Sequence, residues 1–180
     1  MDIIVTAVGK DRPGLTQSLA AAIQDAGGNW LESHFARLGG QYVGSVLVEL
    51  PDNRLADLER AAADACDEGF TVGVLPAMRG SAVSGQPLAF DVVAKDRPGI
   101  VRELATALAA LDVNIEDLQT SAEDGAMFGD KLFRAHASVL VPPGTALENV
   151  RAALENISGD LMVDFEESVG KNTGSRERDE

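Results

Sequence analysis

A five-residue motif occurs twice in this chain and constrains its fold more than any other feature. Residues 10–14 (Lys-Asp-Arg-Pro-Gly) return unchanged, 85 positions later, as residues 95–99. Each copy is followed by apolar residues at the i, i+4, i+7, i+8 spacing of an amphipathic helix. Each copy also has an asparagine, Asn29 or Asn114, fifteen positions after its glycine. A repeat of this length predicts two copies of one folding unit.

The signals for secondary structure follow the same order in both units. In the first unit, strands are predicted over residues 2–8, 29–38, 41–50 and 70–75, with helices over 13–26 and 55–65. In the second unit, strands are predicted over 88–94, 113–122, 132–141 and 161–165, with helices over 98–111 and 145–157. The order predicts the α+β class: two ferredoxin-like βαββαβ domains, each an antiparallel sheet with both helices on one face.

Composition places the boundaries of the two domains. We expect a first domain over residues 1–77, a Gly- and Ser-containing linker over 78–86, a second domain over 87–169 and a disordered tail over 170–180. The second unit is six residues longer, and the extra residues fall at the tip of its hairpin, 123–131. Met127 and Phe128 in this loop either fold onto their own domain or form an exposed contact for a partner.

Charge and hydropathy exclude nucleic acids and membranes as expected partners. The formal net charge is −14, and no basic stretch offers the Lys and Arg side chains that contact phosphate backbones, so direct nucleic-acid binding is not expected. No apolar run is long enough to span a bilayer, and the first residues lack the basic segment of a signal peptide. The sequence therefore predicts a cytoplasmic protein without membrane contact.

Catalytic and metal-binding motifs are not evident in the sequence. There is no phosphate-binding loop, nucleophile elbow or dinucleotide fingerprint. At the repeat offset, His34 matches Gln119 and His136 matches Pro51, and neither histidine has a cysteine or a second histidine at metal-site spacing. We therefore predict a protein that is not an enzyme, with no cofactor and no metal.

The repeated turn is the best candidate for a binding site. A helix N-terminus offers free N–H groups and a partial positive charge to a carboxylate, and a glycine lets a ligand approach the backbone. Asp11 and Asp96 could accept hydrogen bonds from an ammonium group. The helix N-terminus and the aspartate together would therefore suit a free amino acid, which carries both a carboxylate and an ammonium group. In the alternative interpretation, Asp11 and Asp96 cap their helices, and Asn29 and Asn114 satisfy turns.

Strand, Asp-Arg-Pro-Gly, amphipathic helix and a following Asn together resemble the ACT domain, in both units. ACT domains are small regulatory modules that often bind amino acids between paired domains, and the resemblance implies that ligands lie near the turn and the Asn. The residues that match the family pattern, and are therefore predicted to bind ligand, are Asp11, Arg12, Pro13, Gly14, Asn29, Asp96, Arg97, Pro98, Gly99 and Asn114.

Two ACT units with no other domain resemble the glycine cleavage system transcriptional repressor family. This resemblance implies a non-catalytic sensor of a small amino acid, glycine or serine first, that contacts a regulatory protein partner rather than DNA. It also favours a homodimer over a monomer. The alternative is a free-standing regulatory subunit that binds a metabolic enzyme.

Overall fold

The computed structural model describes residues 1–66, 70–78, 84–124 and 131–166. These residues form two compact units, Met1–Gly80 and Ser81–Glu180. Parts of three predicted segments lie outside the described residues: the centre of the linker, the hairpin tip with Met127 and Phe128, and the tail.

The described residues of the first unit form four strands and two helices in the predicted order. Its elements are β1 (Asp2–Lys10), α1 (Leu15–Asp25), β2 (Asn29–Leu38), β3 (Gln41–Glu49), α2 (Leu55–Cys66) and β4 (Phe70–Pro76). The strands form one antiparallel sheet in the order β2-β3-β1-β4. Gly39 and Gly40 connect β2 to β3 with φ values of 59° and 80°, which the predicted glycine turn requires.

The second unit repeats this arrangement with its own set of elements. They are β5 (Gln86–Lys95), α3 (Ile100–Ala109), β6 (Asn114–Asp124), β7 (Lys131–Val141), α4 (Leu147–Glu155) and β8 (Met162–Phe165). The sheet order β6-β7-β5-β8 matches that of the first unit, so the predicted α+β class and βαββαβ topology are confirmed. Strand β5 begins at Gln86, a residue that the sequence had suggested as the end of the linker.

Each sheet buries one face against its two helices. Alternate β1 residues are buried with the apolar face of α1, and the same alternation recurs between β5 and α3. The opposite sheet face carries the residues between them and is more exposed. Both α1 and α3 begin two residues later than predicted, because the turn glycine, not the proline, precedes the first helical residue.

The register of the strands corrects one expectation about the histidines. Asp91 pairs with His136, and the equivalent pair in the first unit is Thr6 with Ser45. His136 therefore occupies the position of Ser45 and not that of Pro51, because the longer hairpin shifts every later residue by six. None of the helices in the described ranges is long and apolar enough to cross a membrane.

Candidate functional site

The first turn, residues 11–14, is exposed and leads into the N-terminus of α1. Gly14 precedes α1 with φ of 93°, and the first intrahelical hydrogen bond runs from the Ser18 N–H to the Gly14 carbonyl at 2.9 Å. The amides of residues 15–17 lie ahead of that bond and are not used by the helix. They carry the partial positive charge of the helix dipole, so the turn is suited to an anionic group.

Asp11 and Asp96 do not act as helix caps. Gly14 and Gly99 hold the N-cap positions, and within the described residues neither helix has a capping hydrogen bond from a side chain. The interpretation of both aspartates as caps is therefore wrong. Asp11 instead forms an ion pair with Arg37, whose Nε lies 3.1 Å from Oδ2. This pair uses one carboxylate oxygen and leaves the acceptor sites of the other.

A cleft of about 350 Å³ lies at the first turn. Its wall includes two hydroxyl groups, those of Thr16 and Tyr42, which are 2.9 Å apart and hydrogen-bonded. The complete lining is Asp11, Arg12, Pro13, Gly14, Leu15, Thr16, Gln17 and Tyr42. The structure thus brings together four of the predicted ligand-binding residues and adds the Tyr42 and Thr16 hydroxyls, which the sequence analysis did not identify.

An aromatic stack supports Tyr42 in the wall of this cleft. Its ring lies 5.1 Å from that of Phe35 with an interplanar angle of 9°, and Phe35 lies 6.0 Å from Trp30. Phe35 occupies the space beside Gly44, where a Cβ atom would lie 2.2 Å from the Phe35 Cδ1. The aromatic residues of β2 and the glycine of β3 are visible in the sequence. Only the strand register, which pairs Phe35 with Gly44, shows that they meet beside Tyr42.

The second turn, residues 96–99, differs because an ion pair engages its arginine. Arg97 donates to both carboxylate oxygens of Glu103, at 2.8 and 2.6 Å. The hydrogen bond from Arg97 lowers the pKa of Glu103 below its ordinary value, and the same bond raises the pKa of Arg97. The residue equivalent to Glu103 in the first unit is Ser18, which cannot form such a pair.

The hydroxyl pair is also missing from the second turn. Val101 stands where the first unit has Thr16, and the strand register places Phe133 at the position of Tyr42. A larger cleft of about 580 Å³ runs along α3 and is lined by Gly99, Arg102, Glu103, Thr106, Ala107 and Ile157. Of the predicted ligand-binding residues it includes only Gly99.

The two predicted asparagines lie at the opposite end of their sheets from their own turns. Asn29 pairs with Glu49, which also pairs with Asp2 at the start of β1, whereas the first turn follows the end of β1. Asn114 holds the same position in the second unit and donates a hydrogen bond to Glu116. Eight residues of strand separate each asparagine from its turn, about 27 Å, so one small ligand cannot contact both within a unit.

Comparison with known families identifies the fold of both units. One ACT-domain model matches residues 1–74, and a second ACT-domain model matches residues 84–163. The two matches cover both pairs of helices and the first three strands of each sheet, and each ends within the fourth strand. No curated protein matches the chain significantly in sequence.

Two solved structures resemble the chain over nearly its whole length. An unknown protein from Galdieria sulphuraria has 26% sequence identity and a TM-score of 0.75, and the alignment covers 93% of this chain and 98% of that one. A protein provisionally named a glycine cleavage system transcriptional repressor has 16% identity and a TM-score of 0.71, covering 92% of this chain and 95% of that one. At such identity the second likeness is evidence of fold alone.

Proposed function

Because the chain belongs to the ACT-domain family and carries two such domains in tandem, we propose that it senses a small amino acid at the first turn. The observation that carries this proposal is the contrast between the two turns. The cleft at the first turn carries the paired hydroxyls of Thr16 and Tyr42, whereas Val101 and Phe133 occupy the equivalent positions of the second unit. Of the ten residues suggested by the sequence, we propose the four of the first turn for direct contact with the ligand.

The first turn offers complementary groups for the two ends of an amino acid. The α-carboxylate would accept hydrogen bonds from the amides of residues 15–17 at the start of α1. The ammonium group would donate to the Asp11 oxygen that the Arg37 pair does not use. A cleft of about 350 Å³ lies at the small end of the range for ligand sites, roughly 300–1,000 Å³, which favours a small side chain such as that of glycine or serine.

The signal would pass to a protein partner in the cytoplasm, with no step of catalysis. A net charge of −14 disfavours contact with a phosphate backbone and favours a basic protein surface. The name of the structurally similar glycine cleavage repressor suggests regulation of transcription in glycine or one-carbon metabolism as the role to test first. A homodimer is part of this proposal, and sedimentation of the purified chain would test it.

Calorimetric titration with each of the twenty amino acids tests the sensor. We expect glycine or serine to bind with micromolar to millimolar affinity, since a ligand of few heavy atoms has a low ceiling on its binding energy. Tyr42→Phe and Thr16→Val install the residue types of the second turn and should each weaken binding. If no amino acid binds at concentrations up to roughly tenfold above the millimolar range expected from ligand size, the proposal is refuted.

Two glycine variants provide the matched control. Gly14 and Gly99 have nearly the same backbone conformation, with φ values of 93° and 100°, so alanine should strain both turns to a similar degree. Gly14→Ala should abolish ligand binding, while Gly99→Ala should preserve it. Equal loss of binding in both variants would show that the effect comes from strain and not from the first turn.

A capture experiment distinguishes the proposed partner from the alternative. The untagged chain would be coupled to a resin and exposed to a lysate with and without about 10 mM glycine. This concentration exceeds the micromolar to millimolar dissociation constant expected for so small a ligand. Release of a transcriptional activator by glycine supports the proposal, whereas glycine-dependent capture of a metabolic enzyme supports a free-standing regulatory subunit. A gel shift with duplex DNA at low salt should show no binding in either case.

A further inference from the structure

We propose that Asp91, His136 and Glu166 form a site for one divalent transition-metal ion on the exposed sheet face of the second unit. Each residue offers one ligand atom, and the three atoms lie within 4.8 Å of one another. The set combines one imidazole nitrogen with two carboxylate oxygens, donors that zinc accepts readily. This site is separate from the first turn and does not depend on amino-acid sensing.

The backbone of the sheet holds the three residues together. Asp91 on β5 pairs directly with His136 on β7, so their side chains project from the same face. Glu166 follows β8 on the other side of β5, and its N–H donates to the Ala89 carbonyl at 3.0 Å. Strands β5 and β7 and the residue directly after β8 therefore supply one ligand each. Residues 91, 136 and 166 are too far apart in the chain for a spacing motif to reveal the site.

The distances fit the coordination of a metal ion. His136 Nδ1 lies 3.1 Å from Asp91 Oδ1. Two ligand atoms that are each about 2.0–2.2 Å from zinc lie roughly 3.0–3.5 Å apart at octahedral or tetrahedral angles. This pair is therefore already at ligand spacing, and the carboxylate oxygen of the exposed Glu166 lies within 4.8 Å of both atoms.

The surroundings of the cluster favour a bound cation with an accessible coordination position. Asp164 pairs with Asp91 across β5 and β8 and adds a third carboxylate to this face. Asp91 and His136 also line a cleft of about 310 Å³, together with Gln119, Ser121 and Arg134 among others. Three protein ligands leave a position for water or for a donor group that enters from this cleft.

The first unit has no such set at the equivalent positions, where the register places Thr6, Ser45 and Leu75. It does contain the other histidine of the chain, His34, whose Nε2 lies 3.3 Å from the Glu32 Oε1. His34 and Glu32 form a two-ligand pair and are not part of a three-ligand group among the described residues. They therefore provide an internal control with the same donor types.

Zinc titration of the untagged full chain tests the site by calorimetry. We expect one ion to bind per chain, with His136→Ala and Glu166→Gln each lowering the affinity by about tenfold or more. His34→Ala should leave the affinity unchanged. The absence of a saturable site of one ion per chain, or equal affinity in His136→Ala and the original chain, would overturn the proposal.

Proton NMR of the unsubstituted chain gives a second readout, which does not require any variant to fold correctly. The chain has two histidines, so its imidazole region is simple to assign. Addition of one equivalent of ZnCl₂ should shift or broaden the His136 ring signals and leave those of His34 in place. Equal changes at both histidines would indicate general binding to an acidic protein and would contradict a defined site.

Discussion

Gly44→Ala should destabilise the first unit by about 2–4 kcal/mol. The new Cβ would lie 2.2 Å from the Phe35 Cδ1 and 2.4 Å from the His34 carbonyl oxygen, so the ring or the paired strand must move. Overpacking of this kind costs about 1–3 kcal/mol. Displacing the Phe35 ring also disrupts its stacking on Tyr42, which contributes about 0.5–1.5 kcal/mol.

The second unit indicates how the clash is avoided when alanine is present. The register places Ala135 at the position of Gly44, and the residue opposite Ala135 is Thr120, where the first unit has Phe35. The Phe35 ring thus fills space that the Ala135 methyl group takes in the other copy. Phe35 is only partly buried, so Phe35→Thr alone should cost less than the roughly 1.5–3 kcal/mol expected for a fully buried side chain.

A double-mutant cycle tests this complementarity. Gly44→Ala combined with Phe35→Thr should be less destabilised than the sum of the single variants, by about 1.5–3 kcal/mol. Urea unfolding followed by the fluorescence of Trp30, the one tryptophan of the chain, reports on the first unit. Additive free energies would refute the reasoning, because the alanine would then be destabilising for a reason other than the Phe35 ring.

Three further predictions concern the second unit. Leu154 in α4 is fully buried, so Leu154→Ala should lower the free energy of unfolding by about 2–5 kcal/mol in urea titration. Asp112 has a left-handed φ of 55°, at the position where the first unit has Gly27. Asp112→Gly should relieve the strain of that conformation and raise the melting temperature, and a lower melting temperature would contradict this reasoning. The Glu103 pKa is lowered by Arg97, so this pair stabilises the fold above the ordinary Glu103 value of 4.5 and loses that effect as the pH falls through the lowered pKa. The stability difference between the original chain and Glu103→Gln should therefore shrink below pH 4.5, and a pH-independent difference would argue against the ion pair.

Most of the fold was predictable because its signals are local. Glycine pairs, prolines and apolar periodicity marked the strands and helices, and the start of β2 at Asn29 and its end at Leu38 were predicted correctly. The helix starts were misplaced by two residues because Pro13 suggested a first helical position, whereas Gly14 takes the left-handed conformation that precedes the helix. Proline and glycine were both correct signals of a turn, but only backbone geometry separates their roles.

The site was less predictable because its contacts join residues that are distant in sequence. The motif located the first turn, but the hydroxyl pair of Thr16 and Tyr42 depends on the alignment of α1 with β3. The cluster around His136 was missed for the same reason, since its two partners come from other strands. The repeat offset of 85 residues also matched His136 to the wrong residue, Pro51. The longer hairpin of the second unit shifts the later residues by six, so the equivalent of His136 is Ser45.

Two identical motifs need not specify two identical binding sites. The Asp-Arg-Pro-Gly sequence fixes a backbone: in both copies the glycine has φ near 100° and the helix begins at the next residue. Side chains from outside the motif surround each turn as well, and there the copies differ: Tyr42 corresponds to Phe133, and Ser18 corresponds to Glu103. In the second unit Glu103 pairs with Arg97 of the motif itself, an ion pair that Ser18 cannot form in the first unit. The repeat therefore accounts for the shared fold, and the substitutions around it account for one turn that is proposed to bind and one that is not.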